Sequence, residues 1–321
     1  MSRLTLLSLG LWLCSPSVLA AERIIVSSEG DDVLQVLQAD NLQTLRQIAV
    51  SERPRDMQLS SDGRWLYVAC GDGDSIDVID VATLQRQRRL HPLDDPEMFA
   101  LTPDGSQLWV SNEDDAQISL LDAQSGEVLA EVDTGPEPEG IVLNADGSRA
   151  YVASEVANMI HVVDTAAHTI VANILVGNRP RRMALSAGEK ELWVTNELSG
   201  DLSVVDLSQA REVQRIRFAP KGFRPEDLGP VGLVLSADKQ TAYVALGRSN
   251  HIARVDVRSR QVEDYLLTGQ RAWGLALHPT QPWLYVSNGL SDDVARVDLE
   301  RWKLVTAASA GRTPHSIVVL P

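Results

Sequence analysis

A proline followed by a short apolar run recurs along the chain at Pro54, Pro96, Pro138, Pro180, Pro230 and Pro314, with Ala272 in the same slot. The intervals are 42, 42, 42, 50, 42 and 42 residues. A period of about 42 residues is the length of one propeller blade, a unit that buries its faces only by stacking against neighbours. Seven units fill the chain after its leader: 22–63, 64–105, 106–147, 148–189, 190–239, 240–281 and 282–321.

Each unit holds four β signals. The first run follows the proline slot, as in Gly140-Ile141-Val142-Leu143. A turn such as Pro103-Asp104-Gly105 comes next, and Asp-Gly between apolar runs favours a hairpin because Gly accepts positive φ. The second run is aromatic and β-branched (Trp65-Leu66-Tyr67-Val68). The third ends in Asp at 80, 122, 164, 206, 256 and 298, where a carboxylate accepts turn N–H groups. The fourth is polar. This gradient predicts strands ordered from an inner channel to a solvated edge. The fold class is therefore all-β: a seven-bladed propeller of four-stranded antiparallel blades. The chain starts on a second run and ends on a first run. Closure is thus expected by pairing a strand at about 22–28 with one at about 315–320, which hides two sheet edges.

Residues 1–20 read as a cleavable signal peptide: Arg3, an apolar stretch from Leu4 to Leu13, and Val18-Leu19-Ala20 before the cut. The apolar stretch is too short to span a bilayer. Leu13 does not suit a lipidation motif at Cys14. The mature part, 21–321, is expected to be one periplasmic domain. It keeps one cysteine, Cys70, read as a packing residue. Without Arg3 the chain carries 28 basic against 44 acidic side chains. That balance repels nucleic acid and anionic lipid, so neither nucleic-acid binding nor stable membrane insertion is expected.

The segments Trp109-Val-Ser-Asn112, Trp193-Val-Thr-Asn196 and Tyr285-Val-Ser-Asn288, with the Asp-terminated third runs and Pro-Asp-Gly turns, resemble the YVTN-family propeller repeat. The layout of seven repeats behind a leader resembles the propellers associated with PQQ-dependent catabolism. That resemblance implies a periplasmic, non-catalytic binding or scaffold protein beside PQQ-dependent alcohol oxidation and its transport system. The implied partner is a small anionic molecule, a dehydrogenase or a transport component. No bound cofactor is implied, and PQQ enters only at the level of the pathway.

The residues beside the proline slots open the innermost strand and should ring the channel mouth. Blades are numbered here by their slots, from Pro54 as blade 1 to Pro314 as blade 7. Blades 2 and 3 supply an acidic arc: Asp95, Glu97, Glu137 and Glu139. Blades 1, 4, 6 and 7 supply Arg53, Arg55, Arg179, Arg181, Arg182, Arg271 and His315, with Trp273 alongside. Two readings stand: a solvated rim whose charges pair across the ring, or a ligand site. Arg suits planar anions through its bidentate fork, and Trp273 offers a stacking face. The longer interval places eight extra residues within 218–229, with Lys221, Phe223 and Arg224. It is either a tolerated insertion or a loop overhanging the mouth. Acidic loops such as Glu29-Gly-Asp31-Asp32 and Glu113-Asp114-Asp115 read as solvated turns, and no metal site is assigned. Neither a metal-binding His or Cys pair, a Gly-x-Ser-x-Gly elbow nor a Gly-rich phosphate loop is present. No catalytic residue is named on this basis. A lactonase-like hydrolase acting at the channel mouth is the alternative.

Overall fold

The computed structural model describes residues 22–91 and 93–320. The expected signal peptide and Cys14 lie outside the described residues. Seven four-stranded antiparallel sheets are arranged as a ring. The inner strands are Pro54–Leu59, Pro96–Leu101, Pro138–Leu143, Pro180–Leu185, Pro230–Leu235, Ala272–Leu277 and Pro314–Leu320. Each touches the next, and the last touches the first. Blade 7 is composite, as expected. Arg23 pairs with Leu320, Ile24 with Val319, Ile25 with Val318 and Val26 with Ile317.

The core lies between blades. Trp193, Val204, Leu233 and Val244, from blades 4 and 5, share one buried cluster. Outer strands such as Thr44–Ala49 are largely exposed, which matches their polarity. The Asp that ends the third strand in blades 1 to 6 caps its turn. Asp122 accepts from the N–H groups of Gln124 (3.0 Å) and Ser125 (2.7 Å), and these bonds hold its carboxyl below the usual range. Cys70 is buried, and burial pushes its thiol well up, as expected of a packing residue.

Two backbone irregularities recur at every proline slot and build the mouth. The residue before the slot has positive φ in all seven blades: Arg53, Asp95, Glu137, Arg179, Gly229, Arg271 and Thr313, between 45° and 60°. Only Gly takes that conformation freely, and Thr313, being β-branched, is held there by its surroundings. Just after the slot, two residues of the inner strand oppose one on its neighbour, as Glu97 and Met98 oppose Ser111. Such a bulge re-aims side chains and frees backbone groups.

Hydroxyls satisfy those freed groups. Ser111 Oγ accepts from Met98 N–H (3.1 Å) and donates to the Glu139 carbonyl of the next blade (2.8 Å). Thr195 accepts from Arg182 N–H (3.0 Å) and donates to Val231 (2.8 Å). Ser287 links Gly274 to His315, and Ser27 links Ser316 to Arg55. The Ser or Thr of each such motif therefore staples one bulge to the next.

Candidate active site at the channel mouth

A cavity of about 250 Å³ opens at this mouth. It is lined by Arg53, Arg55, Arg179, Arg181, Arg271, Trp273 and His315, together with Glu29, Glu97 and Glu113. Seven of the nine expected site residues thus meet in one place. Two do not. Arg182 lies one residue further along its strand and faces a second cavity, because the bulge turns successive side chains to different depths. Arg224 is exposed and pairs within its own loop, with Asp227 (2.9 Å) and Glu226 (3.2 Å). The insertion is held down by buried Phe218 and Leu228. It also presses on Gly200, where any Cβ would collide with the Pro225 carbonyl. Arg224 therefore does not line the cavity, although the loop lies beside it: Arg248 bonds the Glu226 carbonyl (3.4 Å) and comes within 3.8 Å of Glu197.

The charges pair across the ring, as one of the two readings expected, with Glu97, Glu139, Glu155 and Arg181 buried and most of the others half-buried. Arg53 meets Asp95, Glu97 (2.5 Å) and Asp72 (3.2 Å). Arg55 meets Glu29 (2.9 Å) and Glu97. Arg179 meets Glu155 (2.7 Å) and Glu197 (3.3 Å). Arg181 binds Glu155 and lies 3.6 Å from Glu139, whose other oxygen holds Arg182. The acidic arc of blades 2 and 3 sits between the two cationic arcs and neutralises both.

Glu29, Glu113, Glu155 and Glu197 were missed as site residues, and two of them were assigned to solvated turns. They occupy one column, the first residue after the second strand, which elsewhere holds Gly71, Gly247 and Gly289. The Gly at 71 leaves the room that the Arg53 and Asp95 side chains fill. That alternation of Glu and Gly was the available signal.

These environments separate the carboxyl groups. Burial would raise Glu139, but Arg181, Arg182 and Arg55 together outweigh it and hold its carboxyl at about 2. At Glu155 burial wins over Arg181, and the nearby Glu139 adds to it, giving about 7. Burial and Glu139 push Glu97 well above the usual range against the pull of Arg55, and Glu113 shares a hydrogen bond with it. His315 is 4% exposed, and neither ring nitrogen has a hydrogen-bond partner among the described residues. Burial, then the guanidinium groups of Arg55, Arg182 and Arg181, push it well below its ordinary value and keep it neutral.

Oxygens of Asp95, Glu97 and Glu113 lie within 4.8 Å of one another, close enough to hold a metal ion. Arg53 already bonds two of these carboxylates, so the cluster carries its own counter-charge. Among the described residues, Arg271 alone of the cavity's arginines has no carboxylate within ion-pairing distance. Its guanidinium lies 4.5 Å from the Trp273 ring centre. Arg181 lies 5.2 Å from the same ring, and His315 is 5.7 Å away. The open sector of the cavity is therefore a cation, an indole and a neutral imidazole from blades 6 and 7.

A family model described as a seven-bladed β-propeller lactonase matches residues 165–318. No curated protein matches the chain. Among solved structures, the periplasmic gluconolactonase PpgL of Pseudomonas aeruginosa is 20% identical, with a TM-score of 0.79, covering 94% of this chain and 99% of that one. A Lactobacillus plantarum protein is 17% identical, with a TM-score of 0.81 and the same coverage. Hydrazine synthase of Kuenenia stuttgartiensis is 21% identical, with a TM-score of 0.72, covering 82% of this chain and 88% of that one. These likenesses define a seven-bladed propeller. The lactonase match overturns the expectation of a non-catalytic accessory to PQQ-dependent oxidation and favours the hydrolytic alternative.

Proposed function

We propose that this protein is a periplasmic hydrolase of lactones and that the mouth cavity is its active site. The observation that carries this reading is the match to the lactonase model over 165–318, the segment that contributes Arg179, Arg181, Arg271, Trp273 and His315. The likeness to a periplasmic gluconolactonase supports both the chemistry and the compartment. No helix of the described residues is long and apolar enough to cross a membrane.

In this reading water adds to the lactone carbonyl, the ring C–O bond breaks, and a hydroxy acid leaves with release of a proton. His315, a neutral imidazole on the cavity wall with both ring nitrogens unpartnered among the described residues, takes the water proton. Arg271, free of a carboxylate, meets the oxyanion that develops on the carbonyl oxygen. Trp273 carries the ring face of the substrate.

The test is proton release from a panel of sugar and alkyl lactones at constant pH. Arg271→Ala should lower kcat/KM at least about tenfold without changing Tm, because that side chain is exposed. His315→Gln should likewise lower kcat/KM at least about tenfold. A folded protein that hydrolyses no lactone faster than buffer refutes the proposal.

A further inference from the structure

Beyond Trp273 and His315, one residue further along the inner strands, lies a second cavity of about 220 Å³ that hydrolysis at the mouth does not use. Its walls are mixed: Met57, Met98, Met183, Ile141 and Leu233 supply apolar surface, and Asp56, Arg182 and His315 supply polar groups. Gly140, Gly232 and Gly274 let the inner strands around it approach one another closely. A Cβ at any of them would strike the carbonyl of Arg181, Trp273 or His315 on the next blade.

Two buried polar groups face this space. Asp56 is 8% exposed and has no cation within ion-pairing distance among the described residues. Its carboxylate meets the Gln58 amide at a long 3.4 Å and the backbone of Met57 and Phe99. His315 brings a neutral ring with both nitrogens unpartnered. The one guanidinium on the wall, Arg182, is spent on Glu139 and the Met98 sulfur. The free polar groups are therefore an acid and a neutral imidazole, which suit a hydrogen-bond donor and reject an anion. Burial raises Asp56 to about 6, consistent with a carboxylate that no cation stabilises closely.

The space fits a single ring: an apolar cavity of about 150 Å³ holds benzene, so about 220 Å³ leaves room for one polar substituent. The indole of Trp273 and three thioethers are favourable neighbours for an aromatic ring. We infer that this chamber is a second ligand site, for a small uncharged phenol or aromatic alcohol. Its hydroxyl bonds Asp56 and His315, and its ring lies among the methionines and Trp273.

Methionine supplies the test. Beyond the leader the chain has four methionines; three line the chamber, and the fourth, Met159, lies on the third strand of blade 3. Protein labelled with ¹³C at the methionine methyls is titrated with p-cresol. The signals of Met57, Met98 and Met183 should move together and saturate, with a midpoint at or below about 1 mM, while Met159 stays still. The same-sized anion 4-methylbenzoate should not move them, and Asp56→Asn should weaken p-cresol binding at least about fivefold. No saturable movement, equal movement of Met159, or equal binding of the anion overturns the assignment. None of these outcomes depends on whether the mouth hydrolyses lactones.

Discussion

Replacing Glu139 by Gln tests whether the buried charges at the mouth hold one another in place. Gln keeps the shape of Glu but removes the carboxylate that binds Arg182 and faces Arg181. In the fold the Glu139 carboxyl is held at about 2, against an ordinary value of 4.5. A group depressed on folding stabilises the protein above its unfolded pKa, and that contribution is lost as pH falls through the folded one. At 1.36 kcal/mol per unit, the full term is about 3 kcal/mol at pH 7 and shrinks to about 1 kcal/mol at pH 3. Removing one partner of a buried pair typically costs 3–5 kcal/mol, which agrees in size. Urea unfolding of both proteins at pH 7, 5 and 3 measures the difference directly. Glu139→Gln should be less stable by about 3 kcal/mol at pH 7, with the gap closing in acid. A gap below about 1 kcal/mol at pH 7, or one independent of pH, would refute the claim that Glu139 is the ionised counter-charge of this site.

Two predictions concern the ring itself. Deleting residues 314–321 removes the inner strand of blade 7 and exposes the edge at Arg23–Ser28, so the whole protein should lose its cooperative thermal transition; an unchanged Tm contradicts closure. Thr195→Val keeps the side-chain shape but leaves the Arg182 N–H and the Val231 carbonyl unpaired. It should cost about 1–3 kcal/mol in urea unfolding, and a neutral substitution would show that the hydroxyl staple carries no stability.

The ring was legible because it is written seven times. The proline slot recurs at 42-residue intervals with one of 50, the Asp ending the third run recurs in six units, and closure follows from where the repeat starts and stops. The mouth was legible to the extent that its residues sit beside the slot: Arg53, Arg55, Arg179, Arg181, Arg271, Trp273 and His315 all reach the cavity. Arg182 was misplaced because a bulge, which no residue pattern announces, sends neighbours to different depths. Arg224 was misplaced because loop length says nothing of where a loop lies down. The glutamates at 29, 113, 155 and 197 were missed for a different reason. In a linear reading they follow the strand by one residue and look like turn acids. Only the curvature of the blade brings them back to the axis.

Seven identical backbones converge on one axis, so the chemistry at the mouth depends on how the seven positions differ. After the proline slot they read Arg55, Glu97, Glu139, Arg181, Val231, Trp273 and His315. Burying that set is possible only if each cation has a carboxylate at hand, since an unpaired buried charge is costly. The two glutamates of the ring lie between its two arginines, and Glu29, Glu155 and Glu197 supply the remainder from the column behind. That arrangement uses up the charges of blades 1 to 4 on one another and on Glu29 of blade 7. Blades 5 to 7 bring no acid to the ring, and a neutral, unpartnered His315 faces both cavities there beside Trp273. A reacting molecule therefore meets polar groups that are already held in place but not already bonded only on that side. Trp273 and His315 also form the wall between the two cavities, so the contents of one bear on the shape of the other.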